Sequence, residues 1–218
     1  MVRTRAKICG VTTDKAAEIA VAAGADALGF VFYPPSPRAI SPIEAAPIVS
    51  MVPPFVQRVA LFVDEKQSVI EETLSQCSLD MIQFHGAESR SFCESLGLPY
   101  IKAVGFKSRD ELMRVSDAHP NAAALLIDAW APGEHGGTGK TLDWTAIGDI
   151  GRPWLLAGGL TPDNVAEAIA VARPYAVDVS SGVESKRGEK DLSKIESFLQ
   201  AVSAWNGKRR DTRMPVCS

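Results

Sequence analysis

Short apolar runs alternate along the whole chain with longer stretches in which apolar and polar residues are mixed at helical spacing. Apolar runs of this length, rich in β-branched and aromatic residues, are typical of buried strands, and the mixed stretches are typical of amphipathic helices. The runs predict eight strands, at 4–9, 26–32, 56–63, 80–84, 100–104, 123–128, 153–157 and 175–180. The mixed stretches predict eight helices, at 13–23, 42–51, 66–76, 88–96, 108–118, 143–149, 162–172 and 191–204.

Residues typical of helix ends support several of these boundaries. Thr12 or Thr13 can cap the first helix, and Ser41-Pro42 and Thr161-Pro162 each combine a capping residue with a proline suited to the first turn. Glycines that favour a helix C-terminus follow the first and fourth helices, at Gly24 and Gly97.

The strict strand–helix order predicts the fold class. Alternation of this kind implies parallel strands with right-handed crossovers, and eight repeats predict a single (β/α)8 TIM barrel with short loops. A doubly wound open sheet is the competing architecture, but it usually carries a GxGxxG turn after the first strand, where this chain has Cys9-Gly10-Val11-Thr12. We expect residues 1–205 to form the barrel and the basic segment 206–218, NGKRRDTRMPVCS, to be a disordered tail.

Composition narrows the possible partners and location. The 218 residues are 46% hydrophobic and 22% charged with a net charge of −3, which is typical of a globular enzyme and unlike a nucleic-acid-binding protein. Asp26 interrupts the longest apolar run, so no membrane helix is expected, and the N-terminus does not resemble a secretion signal. The four cysteines form no CxxC pair, so we expect reduced thiols in a cytoplasmic protein with no metal site.

The loops after the seventh and eighth predicted strands suit a phosphate site. In such barrels the active site forms at the C-terminal ends of the strands, and these two loops often bind phosphate. Gly158-Gly159 allows a close approach of the backbone, and Ser180-Ser181-Gly182 offers amides and hydroxyls in a tight turn. If the glycines were only turn residues, their occurrence at both expected places would be a coincidence.

Two residues at other strand ends are candidates for acid–base catalysis. Cys9 ends the first strand on the same face as Lys7, whose positive charge is expected to lower the pKa of the thiol and favour the thiolate, a possible general base. Asp128 ends the sixth strand, where a buried carboxyl group would suit general-acid catalysis. The alternatives are a core cysteine and a carboxylate that only caps or pairs.

Further polar residues are expected around the same opening. Arg38 follows three prolines, and its guanidinium group is well shaped to hold a carboxylate. Gln83 and His85 are expected to line the mouth as binding residues, and the run Gly136–Gly139 suits a lid. These residues together predict a phosphosugar-binding barrel with a thiol and a carboxylate placed for an isomerisation.

At these residues the sequence strongly resembles the N-(5'-phosphoribosyl)anthranilate isomerase family of tryptophan biosynthesis. The matching segments, in chain order, are Lys7-Ile8-Cys9-Gly10 with Thr12, Gly29-Phe30 with Phe32, Ser36 with Arg38 and Ser41, Gln83-Phe84-His85-Gly86 with Glu88, Asp128, Gly136-Gly137-Thr138-Gly139 with Asp143-Trp144, Leu156-Ala157-Gly158-Gly159-Leu160 with Pro162 and Asn164, and Asp178-Val179-Ser180-Ser181-Gly182-Val183-Glu184 followed by Gly188, Lys190 and Asp191.

The resemblance implies an Amadori rearrangement of an aminoaldose to an aminoketose, with a small phosphosugar as substrate. It implies that Asp128 protonates the furanose ring oxygen and that Cys9 removes the C2' proton. It also implies that Arg38 holds the anthranilate carboxylate, that the loops at Gly158-Gly159 and Ser180-Ser181 hold the phosphate, and that Asp178 lies near the sugar. No cofactor or metal is expected, nor a nucleic-acid or membrane partner, and the assembly is a monomer or a homodimer.

Two other functions compete with this interpretation. One is another phosphosugar barrel, either an epimerase, which would usually need a metal site that three histidines make hard to build, or the indole-forming synthase, for which strand-end lysines beyond Lys7 and Lys102 are missing. The other is a catalytically silent phosphate-binding module, which would not need both Cys9 and Asp128.

Overall fold

A computed structural model describes residues 3–128 and 144–211, with side chains described as far as residue 207. Eight parallel strands, each hydrogen-bonded to its neighbours in chain order, close into a barrel between β8 and β1, as predicted. The barrel strands are β1 Arg5–Cys9, β2 Ala27–Val31, β3 Gln57–Phe62, β4 Met81–Phe84, β5 Tyr100–Gly105, β6 Ala124–Asp128, β7 Trp154–Ala157 and β8 Ala176–Val179.

Helices surround the barrel and connect its strands. They are α1 Asp14–Ala22, α2 Pro42–Ser50, α3 Gln67–Gln76, α4 Arg90–Ser95, α5 Arg109–Ala118, α6 Val165–Ala172 and α7 Leu192–Asp211, with 3-10 turns at Trp144–Ala146 and Ser181–Val183. A small antiparallel hairpin, β9 Glu184–Lys186 and β10 Glu189–Lys190, follows β8.

Capping explains where two of the helices begin. The Thr13 hydroxyl accepts a hydrogen bond from the amide of Ala16. At α2, the Ser41 hydroxyl and the Glu44 carboxylate form a capping box, and Pro42 occupies the first turn. These starts confirm the sequence prediction.

Three predicted elements differ from the structure. The helix predicted at 143–149 is only a 3-10 turn in its described part, because Arg109 donates to the carbonyls of Ile147 and Asp149 and holds the segment as a loop. The helix predicted from Thr161-Pro162 begins at Val165, because the Asn164 side chain binds the amide of Thr161 and the carbonyl of Gly159 in a preceding turn.

The third difference is at the C-terminus. Helix α7 continues to Asp211, well into the segment predicted to be disordered, whereas residues 212–218 lie outside the described part. The Asn206 side chain accepts a hydrogen bond from the Thr4 amide and donates one to the Thr4 carbonyl, fixing this turn of α7 to the start of β1. The contact that holds this turn joins a polar side chain to backbone, so it leaves no helical spacing of apolar residues in the sequence. The apolar pattern therefore predicted a helix that ends too early, at residue 204.

Two layers of apolar side chains pack against the barrel strands below their C-terminal ends. The larger layer lies between the strands and the helices, and a smaller inner layer fills the lower barrel with residues such as Ile101, Leu126 and Leu155. Alternation along the strands turns Lys7, Cys9, Gln83 and Asp178 to the same inner side, above that layer. The polar side chains therefore gather at the C-terminal mouth.

Candidate active site

A buried ion pair forms the floor of the mouth. Lys7, 2% exposed, donates from Nζ to Oδ1 of Asp178 over 2.8 Å, and the two residues are register partners on β1 and β8. Burial alone would lower the pKa of the Lys7 ammonium, but Asp178 and Cys9 outweigh it and the pKa is raised. Lys7 therefore keeps its positive charge, as a buried ammonium can when it is paired.

Cys9 is buried beside this pair, at the end of β1. Burial, the largest influence, raises the pKa of the thiol, and although Lys7 lowers it, the net pKa lies above the usual value. The sequence-based expectation that Lys7 would leave Cys9 with a lowered pKa is therefore wrong in its net direction. The free energy of desolvating the thiolate exceeds the stabilisation that the Lys7 charge provides. The negative charge of Asp178 disfavours the thiolate further.

Gly29 provides the space that Cys9 and Lys7 occupy. It pairs with Cys9 in the barrel, and a Cβ atom at position 29 would lie 2.9 Å from Sγ of Cys9 and 3.0 Å from Nζ of Lys7. Any larger residue must displace the thiol or break the geometry of the Lys7–Asp178 pair.

If Cys9 is the general base expected from the sequence, Gly29→Ala should lower kcat by about tenfold, because displacing a reacting group by a fraction of an ångström reduces the rate by a factor of this order. The matched control is Gly207→Ala, whose added methyl group meets nothing within 4 Å. Turnover by the two variants, at equal folded fraction by circular dichroism, checks the expectation. Equal turnover would contradict a tight fit around the thiol.

Asp128 ends β6 half-buried, and His85 lies near it. Nε2 of His85 is 3.8 Å from Oδ2 of Asp128, and the Gln83 side-chain amide is hydrogen-bonded to Nδ1 of His85 over 3.3 Å. Desolvation, the largest influence, lowers the pKa of His85 although Asp128 opposes it. A neutral imidazole therefore adjoins the carboxyl group at neutral pH.

A second buried ion pair, which the sequence analysis did not assign, holds the loop that carries His85. Lys102 donates from Nζ to the Gly86 carbonyl over 2.6 Å and to Oε2 of Glu88 over 2.7 Å. Glu88 in turn accepts hydrogen bonds from the amides of Gly86 and Asp64. These contacts fix the backbone that follows β4.

Arg38 is already paired with a carboxylate of the chain itself. It donates from Nε and Nη2 to the two oxygens of Glu184, over 2.6 and 2.9 Å. Lys190 also donates to Glu184, and to the carbonyl and hydroxyl of Ser180. Glu184 and Lys190 stand in a segment that resembles the family, but the sequence assigned them no role; the available signal was two charged residues flanking Gly188 after the last strand.

The two loops predicted to bind phosphate meet at Gly182. A Cβ atom there would lie 1.8 Å from the carbonyl oxygen of Leu160, so only glycine permits this approach. No described residue accepts a hydrogen bond from the amides of Gly159 or Ser181. The Ser180 hydroxyl, in contrast, donates to the Cys9 carbonyl over 3.1 Å, which ties this loop to the end of β1.

The remaining sequence predictions concern a lid outside the described residues and the expected absence of a metal site and of a membrane helix. The predicted lid at Gly136–Gly139 lies outside the described residues. Within 3–128 and 144–211, no group of His, Cys, Asp and Glu side chains could hold a metal ion. In the same ranges no helix combines the length and apolar character needed to cross a membrane.

Comparison with known proteins gives one consistent family. The family model described as N-(5'phosphoribosyl)anthranilate (PRA) isomerase matches residues 6–201. A relative named N-(5'-phosphoribosyl)anthranilate isomerase, from Acidithiobacillus ferrooxidans, is 50% identical over 93% of this chain and 98% of its own. A relative of the same name from Neisseria gonorrhoeae is 49% identical, with the same coverage.

Solved structures agree with the sequence relatives. The phosphoribosyl anthranilate isomerase of Thermotoga maritima is 43% identical with a TM-score of 0.85, covering 92% of this chain and 99% of its own. A phosphoribosyl anthranilate isomerase in complex with reduced 1-(o-carboxyphenylamino)-1-deoxyribulose 5-phosphate is 40% identical with a TM-score of 0.82 and the same coverage. The T. maritima enzyme is also described as dimeric.

Proposed function

The chain belongs to the N-(5'-phosphoribosyl)anthranilate isomerase family, whose members are isomerases of tryptophan biosynthesis, and we propose that it performs this reaction with Asp128 as general acid and Cys9 as general base. The substrate is N-(5-phospho-β-D-ribosyl)anthranilate and the product is 1-(2-carboxyphenylamino)-1-deoxy-D-ribulose 5-phosphate. The strongest support is the polar cluster of Cys9, Lys7 and Asp178 at the strand ends of the barrel, with Asp128 at the end of β6.

The first step is ring opening. Asp128 donates its proton to the furanose ring oxygen, the bond from that oxygen to C1' breaks, and the nitrogen lone pair forms the C1'=N bond of a protonated Schiff base. The partial exposure of Asp128 leaves it accessible from the mouth, where the ring of His85 lies beside it.

The second step is removal of the C2' proton. The Cys9 thiolate takes that proton, and the electron pair moves toward the iminium nitrogen to give the enolamine, which tautomerises to the aminoketone. A thiol with a raised pKa is ionised in a smaller fraction but is a stronger base once ionised. Lys7 stabilises the thiolate, and Asp178 holds Lys7 in place near the sugar.

Two anion sites orient the substrate between these groups. Arg38 binds the anthranilate carboxylate, and the amides around Gly158-Gly159 and Ser180-Ser181-Gly182 bind the phosphate. His85 lines the mouth between them, whereas Gln83, expected from the sequence to line it too, is fully buried and contacts the ring of His85. Holding both ends lowers the entropic cost of reaching the reactive arrangement.

The deciding experiment uses the fluorescence of the anthranilate group. Freshly prepared substrate should lose its fluorescence when purified protein is added, and NMR should identify the product as the aminoketose by its ketone carbon, since substrate and product are isomers of equal mass. Absence of turnover would refute the proposed function. Sedimentation distinguishes a monomer from a homodimer, and cell fractionation tests the proposed cytoplasmic location.

Gly182→Ala tests the phosphate site. Because the new methyl group collides with the Leu160 carbonyl, the two loops must separate, and we expect KM to rise by about tenfold while the inhibition constant of inorganic phosphate rises in parallel. Overpacking of this kind also destabilises the fold by about 1–3 kcal/mol. An unchanged KM in folded protein would place the phosphate elsewhere, and Gly207→Ala again serves as the control.

A further inference from the structure

The hairpin that follows β8 contributes two buried charges to the edge of the mouth. Glu184 in β9 and Lys190 in β10 are register partners, and their side chains are 4% and 2% exposed. The next charges on the same hairpin, Lys186 and Glu189, pair with each other at the surface, 78% and 57% exposed. The burial of the first pair therefore reflects its contacts with the barrel rather than the hairpin itself.

Glu184 holds the guanidinium group of Arg38 in a fixed plane. Two parallel hydrogen bonds, Nε to Oε1 and Nη2 to Oε2, form the bidentate geometry in which arginine is most firmly oriented. The stem of Arg38 also packs against Gly10, where a Cβ atom would lie 2.8 Å from Cδ. No described residue accepts a hydrogen bond from Nη1, which is the remaining terminal nitrogen.

Lys190 connects this pair to the loop after β8. It donates to Oε1 of Glu184 over 3.0 Å and to the Ser180 carbonyl over 3.0 Å, and the Ser180 hydroxyl reaches the Cys9 carbonyl. A continuous set of hydrogen bonds thus runs from Arg38 through Glu184, Lys190 and Ser180 to the backbone of Cys9.

The charges of this set fit an anion-binding function. Burial favours the neutral form of Glu184, but Arg38 and Lys190 lower the pKa of its carboxyl below the usual value, so it is ionised at neutral pH. One carboxylate against two cations leaves a positive cluster, which can attract an anionic substrate although Glu184 is acidic.

We propose that Glu184 is a positioning residue for the carboxylate end of the substrate, acting through Arg38. By engaging Nε and one hydrogen of Nη2, it leaves Nη1 and the second hydrogen of Nη2 as donors to the anthranilate carboxylate, and Lys190 fixes the distance of these donors from the phosphate loop. This inference rests on the proposed function, because it takes Arg38 as the carboxylate ligand.

Glu184→Gln tests this role by comparing the binding of two ligands, one with the aryl carboxylate and one without it. We expect KM to rise by about tenfold with kcat within about threefold of wild type. Binding of reduced 1-(o-carboxyphenylamino)-1-deoxyribulose 5-phosphate should weaken by about tenfold, whereas ribulose 5-phosphate, which lacks the aryl carboxylate, should bind within about twofold of wild type. A merely structural role would weaken both ligands equally, and that result would overturn the inference.

A double-mutant cycle with Arg38→Met shows whether Glu184 acts through Arg38. If it does, Glu184→Gln adds less than about twofold to KM in the Arg38→Met background, because the group it orients is gone. Independent, multiplying effects would overturn the inference. The matched control, Glu189→Gln on the same hairpin, should leave KM unchanged.

The wild-type assay separates the two proposals. If the wild-type protein does not convert the substrate, the proposed function fails. If it does and Glu184→Gln has wild-type KM, only the positioning role fails.

Discussion

Asp128→Asn should lower kcat by about 10³-fold and leave KM within about threefold of the wild-type value. The asparagine side chain has nearly the same shape, so the substrate still binds, but its amide cannot deliver a proton to the ring oxygen. General acid–base catalysis by one positioned side chain typically contributes between 10² and 10⁴ in rate, and ring opening precedes every later step. Steady-state loss of substrate fluorescence measures both constants.

A matched control and a rival acid make this result specific. Asp117→Asn, at an exposed position of α5, should keep full turnover. His85→Gln removes the neighbour of Asp128 and should have a much smaller effect, since a neutral imidazole with a lowered pKa is mostly unprotonated at neutral pH and cannot serve as the acid. If His85→Gln abolished turnover and Asp128→Asn did not, the assignment of the acid would be wrong.

The fold was predictable because its strands are buried on both faces. Such strands are apolar runs bounded by polar turns, and each predicted strand boundary lies within one residue of the observed one. Position at a strand end then sufficed to choose Cys9 and Asp128 as candidates, because a TIM barrel collects its chemistry at that edge, whereas the role of Asp178 came from the family resemblance.

The pairing of charges could not be predicted in the same way. Whether Arg38 meets solvent or Glu184 depends on how the β9–β10 hairpin folds back over the loop after β2, which no local pattern records. The same holds for the pKa of Cys9, whose direction depends on the balance between burial and charges from β1, β8 and the hairpin. Local sequence identified Lys7 as a neighbour but not the extent of desolvation.

The roles proposed for Lys7 and Asp178 are consistent with this balance. A buried thiol needs a cation close by to ionise at all, and a buried cation needs a carboxylate to remain charged. Asp178 supplies that carboxylate, with Oδ1 at 2.8 Å from Nζ of Lys7. Its negative charge also raises the pKa of Cys9. In the proposed mechanism, the Lys7–Asp178 pair therefore stabilises the Cys9 thiolate when it forms, while the thiol stays protonated at neutral pH.

Cys9→Ala should also lower kcat by about 10³-fold, since in the proposed mechanism it removes the base that takes the C2' proton. The matched control is Cys77→Ala, the same change at a buried cysteine of the α3 end, which should keep wild-type turnover in folded protein. Turnover by Cys9→Ala close to wild type would contradict the assignment of the base.

The pH dependence of the Cys9 thiolate itself tests its ionisation without involving Asp128. The ultraviolet absorbance of the thiolate, taken as the difference between the wild-type protein and Cys9→Ala, should increase with pH and level off only above the ordinary thiol value of about 8.5, because the pKa of Cys9 is raised. Lys7→Met removes the charge that lowers this pKa, so the rise should move to still higher pH, whereas Lys15→Met at an exposed position of α1 should not move it. A rise that levels off below pH 7 would contradict the raised pKa of Cys9, and a rise unchanged in Lys7→Met would contradict the stabilisation of the thiolate by Lys7.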